Sequence, residues 1–231
     1  MKIIFDIRKQ IKITFFVLIF CIFFFGITDI DISLQDCFFN HTTNTWLVDR
    51  DLEPYKTIFY SGIKKLLIFI GFCFVISVVF FRKVRLVKEY KKGLYIVILS
   101  AILVPLVVGG LKRYTNMPCP KNELHYGGLM VKTALWQSYK KPYKDMPKIS
   151  CWPAGHASGG FALMSLFFLF KTKRNRQKGL MAGLTLGWSM GIYKMLIGDH
   201  FLSHTIITMV LAWLIILVVA LLVRFKPWTE S

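Results

Sequence analysis

The chain has 231 residues, of which 55% are apolar and 16% aromatic, a composition that excludes an ordinary soluble domain and indicates an integral membrane protein. Its formal charge of +18 comes from 30 Lys and Arg against 12 Asp and Glu, and on a soluble surface it would suggest nucleic-acid binding. Most basic residues instead lie in short blocks between apolar runs, where they set membrane orientation and contact anionic lipid headgroups. Membrane lipids are therefore expected partners, and nucleic acid is not.

Apolar runs recur along the chain and predict six transmembrane helices in a single all-α bundle, because roughly 18 or more apolar residues can cross about 30 Å of hydrocarbon. The predicted spans, in chain order, are 13–27, 66–81, 94–111, 157–170, 180–197 and 205–223. The first run follows a basic start but lacks a small-x-small cleavage motif, so we expect an uncleaved anchor rather than a signal peptide. One membrane domain, 1–231, is the expected organisation.

Two basic blocks, 82–92 and 171–178, predict cytoplasmic loops, which places both termini in the cytoplasm and the loop 112–156 outside. That outer loop is unusual because eight Lys and Arg lie between positions 112 and 150. Attraction of an anionic substrate would explain this excess. A basic outer loop without a ligand is the open alternative.

The remaining polar residues gather at the predicted outer ends of spans three to six. Lys112 ends the third span, Gly155-His156 opens the fourth, Lys194 lies near the end of the fifth, and His200 and His204 open the sixth. Ionisable groups at such positions are costly unless they face a cavity or a partner, so their convergence suggests a functional site. For either lysine alone, snorkelling toward the headgroups explains the position equally well.

Gly155-His156 at the mouth of a helix suggests an anion site, since the free backbone N–H groups and the helix dipole both favour negative charge there. Glycine lets a phosphate approach closely, and His156 could protonate a leaving oxygen because its ordinary pKa is near neutrality. The alternative is a helix-entry turn that carries a surface histidine.

Gly198-Asp199 predicts the break between spans five and six, with Asp199 as the N-cap of the last helix. His200 and His204 then lie one helical turn apart. His200 is a candidate nucleophile whose second ring nitrogen a neutral His204 could hold. Two alternatives stay open: a structural histidine pair, and metal ligation by His200 and His204 with His125 or His156.

Together these segments resemble the three-part signature of the type-2 phosphatidic acid phosphatase superfamily of membrane lipid phosphatases. The signature reads Lys-x6-Arg-Pro, Pro-Ser-Gly-His and Ser-Arg-x5-His-x3-Asp, and it is matched here by Lys112 to Pro120, by Pro153 to His156 and by Tyr193 to His204. The resemblance covers about residues 94 to 223. Spacing is kept within all three parts, and Cys119-Pro120, Ala154 to Ser158 and His200 to His204 are similar to a divergent bacterial branch.

Five positions depart from the signature: Cys119 replaces the first arginine, Ala154 the serine, Tyr193-Lys194 the Ser-Arg pair and His204 the aspartate. Two guanidinium groups are thereby lost, and lysine cannot reproduce their bidentate contact with phosphate. Arg113 is a candidate substitute for one of them, although on an ideal helix it points about 100° away from Lys112.

The resemblance implies a metal-independent, cofactor-free, two-step hydrolysis in the bacterial inner membrane, with the site facing the periplasm. His200 would attack phosphorus, His156 would protonate the leaving group, and Lys112, Lys194, Gly155 and Ala154 would surround the phosphate. Candidate substrates are phospholipid, polyprenyl and lipid A phosphates or pyrophosphates. A lipid phosphotransferase and a non-catalytic protein that binds or transports lipids or anions are the alternatives.

Cys119 and Cys151 both lie in the outer loop, and each is next to a signature segment. A disulfide between them would tie span three to span four and fix Lys112 relative to His156. We favour this bridge over two free thiols in an oxidising compartment.

Overall fold

Long apolar helices dominate the computed structural model, which describes residues 5–137, 139 and 142–225. The α-helices in these residues are α1 (Ile7–Ile27), α2 (Ile30–Gln35), α3 (Ile63–Phe80), α4 (Arg85–Tyr114), α5 (Gly155–Ala162), α6 (Lys173–Leu196) and α7 (Leu202–Leu222). Two short strands, β1 (Phe39–Asn40) and β2 (Thr45–Trp46), form an antiparallel hairpin. The prediction of a mainly helical protein is confirmed.

Within the described residues, four helices are long and apolar enough to cross a membrane. They are α1, α4, α7 and the helix Lys56–Phe80, in which a π-helical stretch continues into α3. The predicted spans 157–170 and 180–197 are not among them. The first is divided between α5 and a 3-10 helix, Leu163–Phe168, and α6 begins among basic residues and is rich in glycine. Six crossings therefore stay a proposal.

Several helices extend beyond the predicted spans because polar residues continue or cap them. Helix α1 starts at Ile7 rather than at position 13, since the Asp6 carboxylate accepts hydrogen bonds from the amides of Arg8 and Lys9. Helix α4 likewise includes much of the basic block 82–92. Basic residues thus form helix ends here, where only a loop was predicted.

Helix α5 lies at the centre of the bundle and packs against α4, α6 and α7. The contact of α5 and of the 3-10 helix that follows it with α6 is close, because a Cβ on Gly160 would lie 2.6 Å from the Gly187 Cα atom, and one on Gly183 would lie 2.3 Å from the Met164 nitrogen. Small residues let helices approach closely where burial of apolar area alone gives little stabilisation in a membrane. Glycines every four residues therefore replace large apolar side chains along α6.

One end of the bundle contains both ends of the described chain. The Phe5 ring lies 5.2 Å from that of Phe167, and the Phe225 ring lies 5.3 Å from that of Phe168. At the same end Lys92 donates a hydrogen bond to the Arg224 carbonyl. The two basic blocks therefore share an end with both chain ends, as the predicted topology requires.

The opposite end is covered by the segments that follow α1 and α4. The Asp31 carboxylate accepts a 2.9 Å hydrogen bond from the Ser203 amide, and the Gln35 side chain donates a 2.7 Å bond to the Met195 carbonyl. The Lys121 amide donates to the Gly198 carbonyl at 3.1 Å. These bonds hold both segments over the turn between α6 and α7.

Cys119 and Cys151 are joined in a disulfide, with their Cα atoms 5.3 Å apart. The bridge connects the segment that follows α4 to the segment that leads into α5. The Cys151 amide also donates to the Met117 carbonyl. The disulfide therefore fixes the distance between the helices that carry Lys112 and His156.

Replacing both bridged cysteines by serine is expected to lower the free energy of unfolding by about 3 to 4 kcal/mol, because the bridge restricts the unfolded chain across a sequence separation of 32 residues. Thermal unfolding in detergent measures this loss, and Cys37→Ser is the control, since Cys37 is free and exposed. Alkylation of Cys119 and Cys151 in unreduced membranes would contradict the bridge.

Candidate active site

One cavity, near the end of α4 and the starts of α3 and α5, is lined by Lys112, Gly155, His156 and Lys64. A Cβ added to Gly155 would lie 3.9 Å from the Lys112 ammonium nitrogen, and outside the local backbone no described residue has an atom closer to that position. Glycine is therefore not required by the protein's own packing. The space that a side chain would enter is the space beside the ammonium group, where an anion would bind.

The N-terminus of α5 presents backbone amides to this space. Helix geometry leaves the amides of Gly155, His156 and Ala157 without acceptors inside the helix. Ala154, in contrast, is fully buried and donates its amide to the Thr208 hydroxyl at 2.8 Å. Ala154 thus anchors the start of α5 to α7, and the amides that follow it are the ones suited to an anion.

His200 and His204 face each other with their Nδ1 atoms 3.3 Å apart, and both are almost completely buried. His200 precedes α7, whereas His204 lies in its first turn. When the Nδ1 atom of His200 carries the proton and that of His204 accepts it, the Nε2 atom of His200 is left unprotonated. This arrangement provides a neutral imidazole suited to nucleophilic attack.

The charged and titratable residues that act on His200 are the other candidate site residues. Burial lowers the pKa of His200 well below its usual range, and His204, Lys112, Lys194 and His156 lower it further. All four residues are thus close enough to act electrostatically on this imidazole. The described elements therefore place the proposed nucleophile, acid and two cations at one end of the bundle.

Asp199 forms an ion-pair network rather than a helix cap. Its carboxylate lies 2.7 Å from the Lys194 ammonium, 2.8 Å from that of Lys121 and 3.7 Å from the Arg50 guanidinium. The N-cap position of α7 belongs to Phe201, so the predicted capping role of Asp199 is wrong. Because Gly198 adopts a left-handed conformation, the chain turns back there and brings Asp199 to Lys194.

Two further sequence-based interpretations find no support in the described residues. Arg113 is exposed and is not among the described residues that line the cavity, since it follows Lys112 on the helix and points elsewhere. The metal set of His200, His204 and His125 fails because His125 is hydrogen-bonded to Asp36 in a separate cluster. Cys151 also lies near His200 and His204, but its sulfur is in the disulfide and supplies no thiolate.

Lys64 is a cavity residue that the sequence reasoning missed. It belongs to the first turn of α3 and is exposed. A lysine at the outer end of a span resembles an interfacial anchor in sequence. Only the packing of α3 beside α4 shows that Lys64 lines the same cavity as Lys112.

Asp199→Asn is expected to destabilise the protein by about 3 kcal/mol, because it removes the carboxylate that lies 2.7 Å from the buried Lys194 ammonium. Desolvation raises the pKa of Asp199, but the hydrogen bonds and charges of Lys121 and Lys194 outweigh it, so the net shift is downward. The stabilisation is therefore complete above an ordinary aspartate pKa of about 4 and is lost as pH falls through the lower folded pKa.

Thermal unfolding in detergent at neutral and acidic pH measures both effects. Asp51→Asn is the matched control, since the ion pair between Asp51 and Lys56 is largely exposed, and we expect little change in stability. Equal unfolding temperatures for Asp199→Asn and the unsubstituted protein would refute the network's stabilising role.

The family model of the PAP2 superfamily matches residues 93–228, which is more than half of the chain. The chain belongs to the PAP2 superfamily. Membership implies phosphatase activity, which in this family generally acts on lipid phosphates, and it confirms the resemblance drawn from the three signature segments. No curated protein and no solved structure is significantly similar to this chain.

Proposed function

We propose that this PAP2 protein hydrolyses a lipid phosphate or pyrophosphate through a phosphohistidine intermediate, at the periplasmic face of a bacterial inner membrane. The observation that carries the proposal is that Lys112 and His156 line one cavity at the N-terminus of α5, with His200 within electrostatic range of both. The cations and amides supply the charge neutralisation that phosphoryl transfer requires. Both termini would then lie in the cytoplasm.

A lipid substrate is supported by the shape of the cavity that contains Lys112 and His156. Its volume is about 550 Å³. From the polar end it continues between α3 and α4 along apolar side chains that include Leu67, Phe74, Val97 and Ile102. A phosphate bound at Lys112 would place an attached acyl or polyprenyl chain along this groove, and Lys64 would add a third cation near the headgroup.

In the first step, the Nε2 atom of His200 forms a bond to phosphorus while the bond from phosphorus to the leaving oxygen breaks. His156 donates a proton to that oxygen, and the bound phosphate dianion favours the protonated imidazole. His204 holds the Nδ1 proton of His200 at 3.3 Å. In the second step, water attacks phosphorus, the P–N bond breaks, and His156 accepts a proton from the water.

Phosphate release by the purified protein tests the proposal. A panel of phosphatidylglycerol phosphate, undecaprenyl pyrophosphate and lipid A phosphates would identify the preferred class, and activity should persist in EDTA because no step uses a metal. Activity lost in EDTA and restored by Zn²⁺ would overturn the metal-independent mechanism. Transfer of phosphate to a lipid hydroxyl would identify a phosphotransferase.

Gly71→Phe is expected to lower kcat/KM for a long-chain lipid phosphate by about tenfold or more, with little effect on a small soluble phosphate ester. Gly71 lines the apolar part of the cavity, and a Cβ added there meets no atom within 4 Å outside its own helix backbone, so a larger side chain is expected to extend into the groove. Gly109→Phe is the control, since Gly109 also has open space but does not line the cavity. Equal loss for both substrates would contradict a chain-binding groove.

A further inference from the structure

The five histidines of the chain fall into two groups, and the second group lies outside the proposed active site. His41 and His125 direct their Nε2 atoms at the same carboxylate oxygen of Asp36, at 3.4 and 2.7 Å. The three ligand atoms all lie within 4.8 Å of one another. Between 38% and 50% of each side chain is exposed, so the cluster is open to solvent on one side.

Packed aromatic rings, rather than mobile loops, hold these imidazoles. Asp36 and His41 flank strand β1, and His125 belongs to a segment 89 residues away from Asp36 in the chain. The buried rings of Phe39, Tyr126 and Phe201 form a core beneath them. The Phe39 ring lies 4.9 Å from that of His41, and the Tyr126 ring lies 4.7 Å from that of His125.

We propose that Asp36, His41 and His125 bind one Zn²⁺ ion. Two imidazoles and one carboxylate are ligands that zinc accepts, with water completing a tetrahedral site. Ligand atoms of such a site lie about 3.3 Å apart, given bonds of about 2.0 Å. The His41 Nε2 atom lies 3.4 Å from the Asp36 carboxylate oxygen, which already matches this spacing. The 2.7 Å hydrogen bond between His125 Nε2 and the same oxygen lengthens when the ion replaces the proton that the two atoms share.

The ion would have a structural role. It would link the β1 segment to the His125 segment directly above the aromatic core, and that core includes Phe201, the residue after His200. The Trp46 ring, on strand β2, packs against the Gly198 turn as well. Bound Zn²⁺ would thus stabilise the segments over the turn that carries His200 and take no part in phosphoryl transfer.

Titration of the purified full-length protein with Zn²⁺ in detergent tests this proposal by calorimetry and by thermal unfolding. We expect one ion per chain, with a higher unfolding temperature on binding. The double variant His41→Gln/His125→Gln should lose the ion, whereas His200→Gln/His204→Gln should retain it. The second variant is the matched control because it removes the other close histidine pair.

Asp36→Asn provides a variant that keeps a hydrogen-bond acceptor for both imidazoles while removing the charged ligand. Its Zn²⁺ affinity should fall at least about tenfold, and Co²⁺ should give a tetrahedral visible spectrum in the unsubstituted protein that this variant loses. Absence of Zn²⁺ binding, or equal binding after His41 and His125 are replaced, would show that the three residues form a hydrogen-bonded triad only. These readouts do not depend on phosphatase activity.

Discussion

His200→Ala is expected to reduce phosphate release from a lipid phosphate by a factor on the order of 10⁴ or more, because removal of a nucleophile leaves only binding and electrostatic stabilisation. The prediction follows from the position of His200, with Nδ1 held by His204 at 3.3 Å and Nε2 left to react. Initial rates at saturating substrate measure the loss in kcat.

His41→Ala is the control for this substitution, because it removes an exposed histidine from the Asp36 cluster. Its rate should stay within about twofold of the unsubstituted rate, and circular dichroism should show equal helix content in both variants. Substantial phosphate release by folded His200→Ala would exclude a phosphohistidine at this position.

His156→Asn should lower kcat for a lipid phosphate by about 10² to 10⁴-fold, the range expected when a general acid is removed. His156 lies at the N-terminus of α5 and lines the cavity beside Lys112. A leaving alkoxide needs its proton in the transition state, so loss of the imidazole slows the first step.

The leaving group distinguishes this acid from a binding residue. p-Nitrophenyl phosphate releases a stable phenolate that needs no proton, so His156→Asn should release the first equivalent of p-nitrophenolate nearly as fast as the unsubstituted protein. Lys112→Met is the comparison, because loss of a phosphate-binding cation should slow both substrates. Equal losses on both substrates in His156→Asn would assign His156 to binding instead of proton transfer.

The residues of the candidate site could be predicted where the chemistry is local in sequence. Gly155-His156 opens a helix because an apolar run follows it, and His200 and His204 face one another because they are four positions apart across the start of α7. The ion pair between Lys194 and Asp199 is also local in sequence, because the turn at Gly198 brings the two side chains together.

Contacts between distant segments could not be predicted in this way. Asp31 bonds to the Ser203 amide across 172 residues, and Lys64 reaches the cavity only because α3 packs beside α4. No local pattern encodes either contact. The local sequence predicts a helix cap at Asp199. It does not predict the ion pair with Lys121, because the Lys121 segment is remote in sequence.

Four described helices, rather than the six predicted spans, are long and apolar enough to cross a membrane, and the difference has a physical reason. Apolar runs predict spans by composition alone, but α6 packs through glycines at positions 179, 183, 187 and 191. Such a helix gains contact by close approach and does not need a continuous apolar surface. The four-residue spacing of these glycines was visible in the sequence and would have predicted tight helix packing.

Isolation of the phosphorylated protein tests the central claim most directly. In His156→Asn with p-nitrophenyl phosphate, the first step needs no acid and the second lacks its base, so phosphoenzyme should accumulate. After an alkaline quench, which preserves phosphohistidine, mass spectrometry of the peptides should place one phosphate on His200. A phosphate on another residue, or none despite a burst of p-nitrophenolate, would contradict the account.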